Sequence, residues 1–364
     1  MKPILLTILL MLSMHISGAE YVGAEACGAC HQTQLKQWQK SDHFHAMQIA
    51  NSASVLGDFS DVEVEFHGIK TRFFKQQDSY FIETLDEDNE VRVLKVLYAF
   101  GHDPLQQYLV DIGSGKLQAF SIAWDSRSKK NGGQRWFHLQ PQEDISPAHP
   151  FFWQGHFQNW NSRCAECHST NVVKGYDAAT RSYATTYDQI DVGCEGCHGP
   201  GSTHLKQAKN GAVKRGQSAA EMGLQLSLAA GGHWQRTGNE DIARRVTPLD
   251  DPTQVDNCGR CHSRRATLGD YHYGQPLLDT HRLSVIESPL YWHDGQIRDE
   301  VYVYGSFVQS KMAKAGVVCS NCHNPHSNAL VAEGNAVCTQ CHKPETYDAT
   351  AHHRHALTST GSAC

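Results

Sequence analysis

The sequence predicts a mainly α-helical and irregular fold that packs around large bound groups and carries an inserted antiparallel β subdomain. Three observations support this prediction. A five-residue motif, Cys-x-x-Cys-His, occurs six times in the 364 residues. Only 40% of the residues are hydrophobic and 30 are glycine, so the side chains alone supply little core. Between about residues 60 and 142, in contrast, apolar and polar residues alternate as they do in strands.

Each motif has the spacing of a covalent attachment site for c-type haem. Two thiols three positions apart can each form a thioether to a haem vinyl group, and the adjacent histidine can bind the iron as proximal ligand. We number the motifs 1 to 6 along the chain. The predicted attachment residues are Cys27, Cys30, Cys164, Cys167, Cys194, Cys197, Cys258, Cys261, Cys319, Cys322, Cys338 and Cys341. The predicted proximal ligands are His31, His168, His198, His262, His323 and His342.

Structural zinc sites and disulfides are the two other common uses of paired cysteines. Neither requires a histidine directly after every second cysteine. With 23 histidines in the chain, six such placements by chance have a probability on the order of 10⁻⁷. The sequence therefore favours six covalently attached haem c groups and a mainly α or irregular multihaem cytochrome c fold, in which the haems supply the missing core.

The order of elements along the chain suggests four parts. Residues 1–19 have the basic start, short apolar stretch and small final residues of a signal peptide cleaved near Ala19. Residues 20–59 contain motif 1, and the segment from Gln32 to Ala50 is predicted to be helical. Residues 60–142 form the β-rich insertion. Residues 143–364 carry motifs 2 to 6 in short helices and loops.

Alternation in the insertion predicts five strands, at residues 62–66, 71–74, 80–84, 91–96 and 135–139. The first cysteines of motifs 2 and 3 are 30 residues apart, and those of motifs 5 and 6 are 19 apart. Haems attached at such short intervals are expected to be neighbours that exchange electrons rapidly.

Export and charge restrict the expected partners. A signal peptide and thioether-linked haem both indicate the periplasm, and no later segment has the roughly 20 apolar residues of a membrane span. The formal charge of −6, made more negative by haem propionates, argues against nucleic acid. Redox proteins of the periplasm or membrane surface are the expected partners.

Sixteen histidines lie outside the motifs and the signal peptide, and each has an ordinary structural role as its alternative. His326 and His204 follow motifs 5 and 3 closely, so they can reach an adjacent haem as distal ligands. The cluster at residues 352–355 should supply another ligand, and His43 or His45 and His138 are further candidates. More ordinary roles are expected for His67, His102, His149, His156, His233 and His272.

Several segments between the motifs carry a family resemblance. They are residues 41–47, 104–109, 133–139, 159–161, 276–281 and 294–297, with the Ser-Thr and Gly-Pro-Gly-Ser extensions of motifs 2 and 3. Over nearly the whole mature chain, the sequence resembles periplasmic multihaem cytochromes c related to the tetrahaem electron acceptor of hydroxylamine oxidoreductase, most closely the group with C-terminal tetratricopeptide repeats. The resemblance implies electron transfer as the activity. It favours as distal ligands His43, His138, His204, His281, His326 and His353.

The sequence departs from that family at its end. Where the family continues into another haem motif and the repeats, this sequence stops at Cys364. We expect a truncation inside a seventh haem site, so that the repeats are not present in this chain. The alternative is a genuine C-terminus with a free or disulfide-linked cysteine.

Two functions from different classes remain open. The leading hypothesis is a non-enzymatic electron carrier with closely spaced, mostly bis-histidine haems. The alternative is an oxidoreductase in which one five-coordinate haem acts on a small nitrogen or sulfur compound. All six motifs end in histidine, so the lysine that marks the active site of pentahaem nitrite reductases is absent, but a missing distal ligand leaves no mark in a sequence.

Overall fold

The computed structural model describes residues 19–228, 232–249 and 251–363. The predicted signal peptide, apart from residue 19, and Cys364 lie outside these described residues. The largest element is an antiparallel sheet of nine strands between motifs 1 and 2. Its strands are β1 (Met47–Ile49), β2 (Ser60–Phe66), β3 (Ile69–Gln76), β4 (Ser79–Leu85), β5 (Val91–Phe100), β6 (Leu105–Asp111), β7 (Leu117–Ala119), β8 (Ile122–Asp125) and β9 (Arg135–His138).

The sheet curls until it is nearly closed. The strand order is β2-β3-β4-β5-β6-β8-β9, with β1 added to β5 and β7 added to β6. Phe73 on β3 nevertheless stacks on Trp136 on β9, with ring centroids 3.7 Å apart. Phe59 packs edge-on against Trp136 of this stack and against Tyr108. The aromatic side chains of the inner face therefore form a core that does not depend on any bound group.

A second apolar cluster joins the sheet to motif 2. It contains Met47 on β1, Leu109 on β6, Trp160, and Ala165 from within the motif itself. The Asn161 side chain accepts a hydrogen bond from the backbone of β7 and donates one to Gly115. The sheet thus fixes the position of motif 2.

Short helices carry most of the motifs. They are α1 (Ala24–Gly28), α2 (Gln32–Trp38), α3 (Trp160–Arg163), α4 (Ala165–His168), α5 (Cys194–His198), α6 (Ser202–Lys209), α7 (Thr253–Gly259), α8 (Tyr304–Val308), α9 (Lys311–Lys314), α10 (Ala336–Thr339), α11 (Pro344–Tyr347) and α12 (Thr350–His353). Three two-stranded ribbons lie between them: β10 (Tyr176–Asp177) with β11 (Ser182–Tyr183), β12 (Trp234–Gln235) with β13 (Arg244–Arg245), and β14 (Arg265–Thr267) with β15 (His281–Leu283).

The prediction of a mainly α fold was wrong. Helices and strands each account for 23% of the residues, and the large sheet is nearly closed. The segment from Gln32 to Ala50 shows one cause. Its helix ends at Trp38, where Ser41 bonds the last carbonyl, and the backbone from Met47 onward pairs with β5 instead. Helices of four to eight residues are too short to hold themselves together, so tertiary contacts decide where they form.

In the described part of the chain, the helices all fall short of the length and apolar character needed to cross a bilayer.

Candidate haem-binding sites

The proximal histidines of motifs 1, 3 and 4 each face a second imidazole ring. The pairs are His31 with His204 (centroids 6.2 Å apart, rings inclined by 28°), His198 with His326 (6.4 Å, 12°) and His262 with His43 (6.2 Å, 69°). The structure therefore brings three of the predicted distal histidines, from distant parts of the sequence, opposite a predicted proximal one.

The geometry of these pairs suits an iron between the rings. With metal–nitrogen bonds of about 2 Å on both sides, facing imidazole centroids lie about 6 Å apart. His204 Nδ1 donates to the carbonyl of Met222 at 2.8 Å, which leaves Nε2 with a free lone pair. Burial lowers the pKa of His43, His198 and His326, so these rings are neutral at neutral pH, as metal ligands must be.

Apolar surface near the motifs also fits haem. Many of the large hydrophobic side chains that remain exposed lie between motifs 4 and 5 in the sequence. They include Leu268, Leu278, Val285, Ile286, Trp292, Ile297, Val303 and Met312. The faces of a porphyrin are apolar, so such side chains can be buried against them. The donor set and its surroundings therefore fit haem c.

The remaining proximal histidines have different neighbours. The His168 ring packs against Phe100 at 4.5 Å, and the His342 ring packs against Tyr347 at 4.8 Å. In each of these two histidines, Nδ1 is buried and has no hydrogen-bond partner among the described residues. His323 interacts electrostatically with His262. Within the residues that the structure describes, none of these three rings faces a second imidazole.

His138 and His281 are buried, and neither faces a proximal ring among the described residues. His138 Nδ1 accepts the backbone N–H of Gln140 at 3.0 Å, and its ring meets His67 edge-on at 4.5 Å. Burial lowers the pKa of His138 to about 4. His281 is fully buried, with Nδ1 2.9 Å from the Thr280 hydroxyl and Nε2 3.4 Å from the Glu166 carboxylate.

His353 faces His355 with centroids 6.2 Å apart, and its Nδ1 accepts the backbone N–H of His355. Neither residue belongs to a motif. The structure therefore does not bring His138, His281 or His353 opposite a proximal histidine.

Cysteines of different motifs lie near one another. Cys27 of motif 1 is near Cys194 of motif 3, Cys167 of motif 2 is near Cys261 of motif 4, and Cys258 of motif 4 is near Cys319 of motif 5. Cys197 of motif 3 interacts electrostatically with Cys261, and Cys322 of motif 5 interacts electrostatically with Cys341 of motif 6.

The proximity of these cysteines indicates that the six motifs form a branched array. The path runs from motif 1 through motifs 3, 4 and 5 to motif 6, and motif 2 branches from motif 4. Polar bonds support the central link, since Asn257 donates to the carbonyl of Cys197 and Arg260 donates to that of Gly196. Motif 4 is therefore the junction of the array.

Three charged residues between motif cysteines were missed by the sequence reasoning: Glu166, Glu195 and Arg260. Glu166 bonds Thr267, Arg265 and His281. Burial acts to raise the pKa of Glu166, but the His281 hydrogen bond and the Arg265 charge lower it to about 2. The residues between the two cysteines of a motif are otherwise small or neutral. A charged residue at one of these positions was therefore the signal that could have identified all three.

Glu195 ties the N-terminal segment to motif 3. Its buried carboxylate accepts the backbone N–H groups of Val22, Gly23 and Gly201 at 2.7–3.0 Å. Hydrogen bonds to an ionised group are stronger than those between neutral groups. This side chain therefore ties the segment before motif 1 to motif 3.

Replacing Glu195 with glutamine should destabilise the protein, because an amide group cannot accept all of these bonds. We expect the free energy of unfolding to fall by roughly 3 kcal/mol, measured by urea denaturation of the haem-loaded protein. Glu25→Gln, at an exposed position of α1, is the matched control and should change little. Equal stability of the two variants would contradict this role for Glu195.

Structural zinc was one alternative to haem as the group bound by the paired cysteines. In the described segments, no three histidine, cysteine or acidic side chains converge into a group that could hold a metal ion. The twelve motif cysteines are all free thiols in this structure. The arrangement thus differs from the four-ligand cage of structural zinc.

Two family models match parts of this chain. The family model described as cytochrome c554 and c-prime matches residues 26–66 and 128–199, and the model of a doubled CXXCH motif matches residues 311–346. A comparison with curated proteins gives no match.

Among solved structures, the outer cell wall cytochrome OcwA has a similar fold, with a TM-score of 0.55, 17% identity, and coverage of 91% of this chain and 68% of that one. An undecahaem cytochrome from the S-layer of Carboxydothermus ferrireducens aligns with a TM-score of 0.42 and 16% identity over 90% of this chain and 44% of that one. The two family matches support covalently bound haem c in this chain, and the likeness to OcwA is one of fold.

Proposed function

We propose that this protein is a periplasmic electron carrier that holds six haem c groups and passes electrons between redox proteins. The observation that carries the proposal is the proximity of successive motifs, from Cys27 near Cys194 to the hydrogen bonds that link motif 4 to motifs 3 and 5, and motif 5 to motif 6. Haems attached by thioether bonds at neighbouring motifs would be close enough to exchange electrons. Haem c supplies one-electron exchange at its iron.

The facing histidines have a defined part in this proposal. His204, His326 and His43 would close the irons held by His31, His198 and His262, so that substrates are kept away and the coordination stays the same in both oxidation states. Hydrogen bonds such as that from His204 to Met222 would hold the rings in position. Distal ligation by His138, His281 and His353 stays a prediction from the resemblance.

The location and the partners belong to the same proposal. The related fold is that of a protein described as an outer cell wall cytochrome, which supports export of this chain. Its partners would be redox proteins of the periplasm or membrane surface. The hydroxylamine oxidoreductase-related group remains the proposed family.

A second candidate function has one specific observation in its favour. His168, His323 and His342 face no second imidazole in the described segments, so an iron bound there could have an open position. Such a haem could react with a small nitrogen or sulfur compound. This would make the protein an oxidoreductase with an internal electron supply.

Electron paramagnetic resonance of the haem-loaded protein tests both candidates. We expect six haems per chain by mass spectrometry and at least three low-spin species. Near-parallel rings at motifs 1 and 3 should give rhombic signals, and the steeply inclined pair at motif 4 a strongly anisotropic one. Bound zinc or disulfides instead of haem would overturn the proposal. A high-spin signal that shifts when hydroxylamine or nitrite is added would favour the enzyme.

A further inference from the structure

Arg260 occupies the junction between motifs 3 and 4. It lies between Cys258 and Cys261, and its Nη1 reaches across to the carbonyl of Gly196 at 3.3 Å. Its guanidinium carbon lies 4.1 Å from the ring centroid of Tyr271 and 4.9 Å from that of Tyr273. Its Nε is buried and has no hydrogen-bond partner in the described part of the chain.

Among the described residues, the positive charge of Arg260 forms no ion pair with a carboxylate. Among the described residues, no carboxylate oxygen lies within 4.0 Å of its guanidinium nitrogens. The acids of the adjacent motifs are engaged elsewhere, since Glu195 accepts backbone N–H groups and Glu166 pairs with Arg265. Asp256, one turn earlier, bonds Tyr304 and the backbone of Leu277. The tyrosine rings stabilise the cation without neutralising it.

We propose that Arg260 raises the reduction potentials of the groups bound at motifs 3 and 4, so that the first electrons to enter the array collect at its junction. Reduction of an iron lowers its charge by one, and a nearby fixed cation favours the reduced form. Because the guanidinium is shielded from solvent by two rings, its field is screened less than that of a surface arginine. The inference rests on the proposed electron-carrier function.

The consequence is a shared electron reservoir. Hydrogen bonds link motif 4 and the residues beside it to motifs 2, 3 and 5: Arg265 donates to Cys167, Asn257 and Arg260 donate to carbonyls of motif 3, and Gln254 accepts the backbone N–H of Ser320. An electron that enters at another motif would move to the haem at motif 4 and stay there until an acceptor takes it. Arg260 is thus a positioning residue: its charge determines at which haem the electrons collect, and its side chain touches no substrate.

A redox titration of the haem-loaded wild type gives the first test. The anisotropic signal assigned to motif 4, identified by its loss in His43→Ala, should be among the first to disappear as the potential is lowered. If it is the last to disappear, the proposal is wrong. This measurement needs no variant at Arg260 and so does not depend on how that site tolerates substitution.

The second test uses Arg260→Gln with Arg260→Lys and Arg264→Gln as controls. Arg260→Gln should change the reduction equilibrium of the highest-potential haems at least tenfold, which is a fall of about 59 mV. Arg260→Lys keeps the positive charge, so the reduction potentials of these haems should stay close to those of the wild type. Arg264→Gln removes an exposed arginine and should have little effect on them. Unchanged potentials in Arg260→Gln with six haems bound would overturn the proposal. A wild type without reversible haem reduction would instead overturn the proposed function.

Discussion

Replacing His43 with alanine should convert one low-spin haem into a high-spin haem. His43 faces His262 of motif 4 with ring centroids 6.2 Å apart, so its removal takes away the sixth ligand expected at that iron. With five ligands the ligand field at this iron would be weaker. The open coordination position would then accept added imidazole or carbon monoxide. The oxidised spectrum should lose its strongly anisotropic low-spin signal, gain a high-spin one, and recover when imidazole is added.

His45 provides the matched control. It lies two residues away, and its ring stacks on His102 at 4.2 Å instead of facing a motif histidine. His45→Ala should therefore keep all the low-spin signals. His204→Ala and His326→Ala should each remove one rhombic signal, because their partners are His31 and His198. An unchanged spectrum in His43→Ala would reject this ligand assignment.

Parts of the sheet could be predicted from the sequence because one face of each strand is apolar. Strands β3 and β4 bury alternate side chains, and their segments were identified by that alternation. Strand β6 was missed because Gln106 breaks the pattern. This side chain is only 1% exposed, and it bonds the backbone at Leu56 and Ser54. A buried polar group that satisfies its hydrogen bonds cannot be distinguished from a surface residue in a sequence.

The candidate haem sites also have one part that the sequence predicts and one part that it does not. The attachment motifs are local, so their chemistry can be read from five consecutive residues. The facing pairs are not local, because His43 and His262 meet only when the N-terminal segment packs beside motif 4. His281 illustrates the limit, since its buried position beside Glu166 depends on the ribbon formed by β14 and β15. Resemblance could suggest such residues but not their contacts.

Removing the haem at motif 3 should interrupt the array, whereas removing the one at motif 2 should not. Motif 3 is the contact between motif 1 and the junction, through Cys194 and Cys197. Motif 2 only branches from motif 4, through Cys167. Tunnelling rates fall exponentially with distance, so the gap left at motif 3 should slow transfer by orders of magnitude.

The experiment compares Cys194→Ser/Cys197→Ser with Cys164→Ser/Cys167→Ser, each checked for five remaining haems. A ruthenium photosensitiser attached through Gln34→Cys, at an exposed position of α2, would inject one electron beside motif 1. Freeze-quenched paramagnetic resonance would then follow the motif 4 signal. The signal should fall rapidly in the wild type and in the motif 2 variant, and persist in the motif 3 variant. Equal rates in the two variants would mean that electrons leave motif 1 by another route, and the branched path inferred from the cysteine contacts would be wrong.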